Sequence, residues 1–234
     1  MLFRQFFDRE SSTYTYLLAE RMGGEALIID PVIEQMPLYL QQIAELDLKL
    51  VMAVDTHIHA DHVTALGRLR ESTACATAMG EQSGADCVSL SFRDGERLRA
   101  DGVELQAMYT PGHTDDSYSF LLPSAAGDRV FTGDTLLIRA TGRTDFQNGD
   151  AGDQYDSIFG RLLTLPEDTL VYPAHDYNGR TVSTIGEEQR FNPRLQVRNR
   201  AEYIEMMNGL KLDNPRLMDV AVPANRACGL ARAA

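Results

Sequence analysis

Every histidine in this chain stands just past an apolar, strand-like run, and that placement limits the fold more than any other feature. Val51–Val54 leads into Asp55, Thr56, His57, Ile58, His59, Ala60, Asp61 and His62. Leu105–Tyr109 leads into Thr110, Pro111, Gly112 and His113, and Leu170–Ala174 leads into His175 and Asp176. Arg129–Gly133 ends the same way, on Asp134. A strand that carries its polar groups only at the end can be buried along its length. If several such strands finish at one sheet edge, the loops that follow them converge.

The rest of the chain supplies such an architecture. Strand-type runs recur at Leu2–Phe7, Thr13–Leu18, Ala26–Asp30, Leu48–Val54, Val103–Tyr109, Ser117–Leu122, Arg129–Thr132 and Thr169–Tyr172. Tyr14, Tyr16 and Leu18 alternate as in a half-buried strand, while Ala26–Ile29 reads as fully buried. Helical stretches are predicted at Leu38–Leu46, Val63–Glu71, Gln154–Leu165 and Pro193–Met207. Ala151–Asp153 and Pro123–Asp128 read as exposed loops. Interleaved strands and helices imply layered α/β structure in one domain, residues 1–234.

With 234 residues, 44% of them hydrophobic, the chain is long enough to bury a sizeable core. Its 22 basic and 34 acidic residues sum to −12, a surface that repels nucleic acid and anionic lipid. No apolar run is long enough to span a bilayer, and the first ten residues lack the core of a signal peptide. Cys75, Cys87 and Cys228 form an odd, widely spaced set without a CxxC pair. They predict a reducing, cytoplasm-like compartment and at least one free thiol, with Cys75 and Cys87 as ordinary small core residues.

Imidazole and carboxylate are the mixture that first-row metals take. Single members of the set have plainer readings: Asp61 is also suited to cap a helix beginning near Val63, and Gly112 and Gly133 to serve turns. Together, HxHxDH followed in order by Gly-His, Gly-Asp and Pro-Ala-His resembles the metallo-β-lactamase superfamily. The resemblance implies an αββα sandwich with metal at the shared sheet edge. In that pattern His57, His59 and His113 face one metal position, Asp61, His62 and His175 a second, and Asp134 can bridge. Two filled positions suit zinc hydrolysis. His57, His113 and Asp134 alone make a two-histidine, one-carboxylate triad that suits non-haem Fe(II).

More specific motifs follow. Gly142–Gln147 (GRTDFQ), Pro173–Tyr177 (PAHDY), and Val222–Asn225 with Cys228 and Gly229 (VPAN…CG) look like the persulfide dioxygenases of the ethylmalonic-encephalopathy type. The likeness runs from about Phe3 to Gly229. It implies oxidation of glutathione persulfide by O₂ and water to glutathione and sulfite at one Fe(II), with zinc as the alternative metal. His57, His113 and Asp134 are then the ligands, and His59, Asp61, His62 and His175 orient them. Arg143 and Tyr177 are the expected catalytic and substrate-binding groups, joined at the substrate by Asn225 and Arg226. The segment from about residue 190 to 234 is expected to pack on the core near the substrate pocket. A homodimer is implied, in the cytoplasm or, if a transit peptide has been removed, the mitochondrial matrix. Thr141 stands where some relatives have cysteine, so no redox role is expected there. The alternatives are a glyoxalase II-like hydrolase of glutathione thioesters with two zinc ions, and a non-catalytic iron or persulfide sensor.

Overall fold

The computed structural model describes residues 1–213 and 217–230. They group into two compact units, one of Met1–Phe92, Arg97–Glu104 and the C-terminal segment, the other of Arg93–Glu96 and Leu105–Asp213.

The first unit contains β1 (Leu2–Asp8), β2 (Thr13–Ala19), β3 (Glu25–Ile29), α1 (Met36–Glu45), β4 (Lys49–Val54), α2 (Leu66–Thr73), β5 (Ala76–Gly80) and β6 (Leu90–Phe92). They form one sheet in the order β1-β2-β3-β4-β5-β6. The first three strands pair antiparallel through short turns. From β3 onward the pairing is parallel, and parallel neighbours need crossovers, which α1 and α2 supply. Leu17, Ile28, Tyr39, Leu66, Leu69 and Met79 belong to its buried core.

The second sheet has the order β12-β11-β10-β9-β8-β7. Its strands are β7 (Arg97–Ala100), β8 (Val103–Tyr109), β9 (Tyr118–Leu122), β10 (Arg129–Gly133), β11 (Leu170–Pro173) and β12 (Ser183–Thr184). In the second unit, α3 (Ala151–Gly160) provides the crossover between the parallel pair β10 and β11, and α4 (Ile185–Phe191) and α5 (Arg200–Asn208) follow. Val130, Ile158, Leu162, Val171, Ile185 and Tyr203 centre its core. The last helix, α6 (Met218–Asn225), lies in the first unit, so the C-terminal segment divides between the two.

Several sequence expectations need correction. β2 is buried at all seven positions, so its Tyr14–Leu18 alternation does not mark a half-exposed strand. Ala151–Asp153 is the first turn of α3, capped by the Asp150 carboxylate, which accepts from the Gly152 and Asp153 amides. Asp61 does not cap α2, which starts at Leu66 after an uncapped Ala65. The stretch from Pro193 is broken, because Asn199 turns extended and caps a new helix at Arg200. Cys87 is bridged to Cys228, whose Cα the fold brings to 5.9 Å across 141 residues of sequence; Cys75 is the free, buried thiol. Among the described residues no helix is long and apolar enough to cross a membrane.

Candidate metal centre

Strand direction explains why the polar groups gather. β3 and β4 run parallel, so Asp30 and Asp55 emerge side by side, tied by an Asp30 amide bond to the Val54 carbonyl. The buried Asp30 carboxylate accepts from the Thr56 amide at 2.7 Å and the Thr56 hydroxyl at 3.1 Å, and it lies 3.2 Å from His59 Nε2. A carboxylate only accepts, so His59 carries its proton on Nε2 and presents Nδ1 unprotonated. The Thr56 hydroxyl spends its proton on Asp30 and accepts from His57 Nδ1 at 3.0 Å, which leaves the lone pair on His57 Nε2. His62 Nδ1 sits 2.9 Å from Asp61, giving the same assignment for His62 Nε2. Hydrogen bonds that fix a tautomer this way are how proteins aim imidazole at a metal.

The second unit repeats the logic. β10 and β11 are parallel with Gly133 opposite Pro173, so Asp134 and His175 leave the sheet together. β9 is antiparallel to both β8 and β10, so β8 ends at the same edge and delivers His113 there. His113 Nδ1 donates to the Arg143 carbonyl at 2.8 Å, which aims Nε2 outward. Asp134 Oδ2 lies 3.5 Å from His113 Nε2 and 3.6 Å from His175 Nε2. Both separations are long for hydrogen bonds, and that between His113 and Asp134 matches neighbouring ligands of one ion with bonds of about 2.1 Å. A side chain on Gly142 would put its Cβ 2.2 Å from the Asp134 carbonyl and 2.9 Å from His113 Nδ1, so only glycine fits there.

The residues therefore suit a first-row metal. Buried Asp134 Oδ1 and His62 Nε2 have no hydrogen-bond partner among the described residues, and the donors are imidazole nitrogen and carboxylate oxygen.

The other expected residues divide. Arg143 is committed within its own unit: Nε and Nη2 grip the Asp145 carboxylate at 2.6 and 2.7 Å, and Nη1 donates to the Asp213 carbonyl at 2.5 Å. Its guanidinium also stacks on Phe146. These contacts already give the guanidinium a carboxylate of the chain itself. Tyr177 is exposed, with its ring parallel to that of His175 at 6.2 Å. Asn225 is fully buried, and its side chain bonds backbone: Nδ2 donates to the His59 and His62 carbonyls, and Oδ1 accepts from the Thr64 amide. Arg226 follows α6 and is exposed.

Asp30 escaped the sequence reading although its signal, an apolar strand ending in Asp, matched that of Val51–Asp55. Gln154 and Tyr203 carried no signal. Gln154 Nε2 donates to the Gly142 carbonyl, and the Tyr203 hydroxyl donates to Gln154 Oε1 at 2.8 Å. The pair braces the loop that fixes His113.

A model of the metallo-beta-lactamase superfamily matches residues 8–85 and 89–175. The chain belongs to the metallo-beta-lactamase superfamily. Within that superfamily it is 46% identical to the human and mouse proteins named persulfide dioxygenase ETHE1, mitochondrial, over 98% of this chain and 89% of each relative. A crystal structure of ETHE1 from Myxococcus xanthus is 55% identical, with a TM-score of 0.93 over 98% of this chain and all of that one. The metallo-beta-lactamase fold expected from the HxHxDH pattern is the fold of this chain.

Proposed function

We propose that this chain is a persulfide dioxygenase that converts glutathione persulfide, O₂ and water to glutathione and sulfite. One observation carries the reading: the likeness to proteins of that name runs nearly end to end, through the GRTDFQ, PAHDY and VPAN…CG segments. It favours oxidation over hydrolysis of glutathione thioesters.

In this proposal a single ferrous ion is held by His57, His113 and Asp134. Iron bound there would supply the one-electron chemistry that lets O₂ react with a terminal sulfur. The chain's own residues orient. Asp30 and Thr56 hold His57 in the tautomer that offers Nε2, and the Arg143 carbonyl does so for His113. Arg143 thereby serves through its backbone, with its side chain locked to Asp145. The exposed Arg226 is left to meet a glutathione carboxylate, and Tyr177 to meet the persulfide.

The test is oxygen consumption by iron-loaded protein given glutathione persulfide, with sulfite counted at the end. One O₂ consumed per sulfite formed is expected. Thioester hydrolysis by a zinc-loaded sample, with no oxygen uptake by the iron-loaded one, would overturn the proposal.

A further inference from the structure

The C-terminal segment grips the histidine loop at several backbone points. Asn225 supplies two donors to the His59 and His62 carbonyls at 2.9 and 2.8 Å, and accepts from the Thr64 amide at 2.8 Å. Three residues on, the Cys228 carbonyl accepts from the Gly67 amide at 2.8 Å. Gly229 has φ +71°, and a Cβ there would lie 2.0 Å from the Thr64 carbonyl, so the two backbones touch. A side chain on Gly67 would likewise strike the Cys228 carbonyl at 2.7 Å. The Cys87–Cys228 bridge then fastens this segment to the chain leading into β6. Four successive residues of HxHxDH, from His59 to His62, thus lie between two carbonyls held by one buried amide.

We infer that Asn225 is a positioning residue for the metal-binding loop, and that the Cys87–Cys228 bridge sets how firmly the loop is held. The inference rests on the reading that His57 and its neighbours serve a metal. Its physical basis is simple. An imidazole ligand is only as well placed as the backbone behind it: His57 stands two residues before His59, and a His59–His62 span free to shift would loosen it, so that binding energy is spent on ordering the loop. Asn225 restrains that span from outside its own sequence, and the disulfide restrains Asn225.

The experiment is a titration of metal-free full-length protein with Co(II), read by its visible absorption and by chelator competition. Outer-shell losses of this kind typically weaken metal binding about 10- to 100-fold, and Asn225→Asp should fall in that range, since it keeps the acceptor and removes both donors. Asn225→Ala, which adds no charge, should lose affinity in the same direction. Cys87→Ser combined with Cys228→Ser should fall between wild type and Asn225→Asp. Circular dichroism of each metal-free variant, matching wild type, separates a shifted loop from an unfolded chain. Wild-type affinity in both folded Asn225 variants would overturn the positioning role, and wild-type affinity in the double serine variant would overturn the role of the bridge. A wild-type chain that takes up no Co(II) would instead defeat the metal reading, and this inference with it.

Discussion

At the scale of single residues, the centre depends on which nitrogen of each imidazole is bare. His113→Ala and Asp134→Ala each remove a proposed ligand, so each should abolish stoichiometric iron and, with it, oxygen uptake; metal analysis of the purified variants checks this. Arg143→Ala should lower metal content more than it raises KM, because the side chain anchors the carbonyl that His113 needs. A raised KM with full iron would return Arg143 to the substrate. The Arg143 hydrogen bond holds the Asp145 carboxyl below its usual range, despite some opposing desolvation. A depressed carboxylate contributes stability above its unfolded pKa and loses it as pH falls through the folded value. Asp145→Asn should therefore flatten the acid limb of stability, measured by urea unfolding across a pH series.

At the scale of elements, α3 and α5 together brace the loop behind His113. Tyr203 on α5 donates to Gln154 on α3, and burial pushes the Tyr203 hydroxyl up to about 12. A raised tyrosine pKa means that its contribution is complete below the unfolded value and is lost as pH rises through the folded one. Tyr203→Phe leaves Gln154 Oε1 buried without that donor, a loss of about 1–3 kcal/mol. Urea midpoints should show this loss at neutral pH and a narrowing gap to wild type above pH 10. Asp150→Ala removes the cap of α3 and should cost about 1 kcal/mol by the same measurement.

At the scale of the whole molecule, metal and stability should be linked, since an ion bound by the folded chain alone favours folding by mass action. Free metal at a hundred times its Kd adds about 2.7 kcal/mol. For a chain of this size that corresponds to a rise in Tm of roughly 5–10 °C. Calorimetry with and without added Fe(II) under anaerobic conditions checks it, and an unmoved Tm would mean that the ion is no part of the folded state.

Much of this protein was legible in its sequence, because apolar runs ending in His or Asp leave few ways to bury the former and expose the latter. The eight expected strands all exist, and the order of His57, His59, His113, Asp134 and His175 along them carried the superfamily. Short strands such as β6 and β12 were missed, having too few residues to show a period. What the sequence by itself determined was local: which residues form strands, and which polar groups leave their ends. Only the tertiary structure decided the contacts across long loops. It gave Asn225 the His59 and His62 carbonyls and the Thr64 amide as partners, occupied Arg143 with Asp145 and the Asp213 carbonyl, and joined Cys87 to Cys228. Those outcomes depend on where distant backbone groups arrive in space, and no spacing along one chain encodes the distance between residues 141 positions apart.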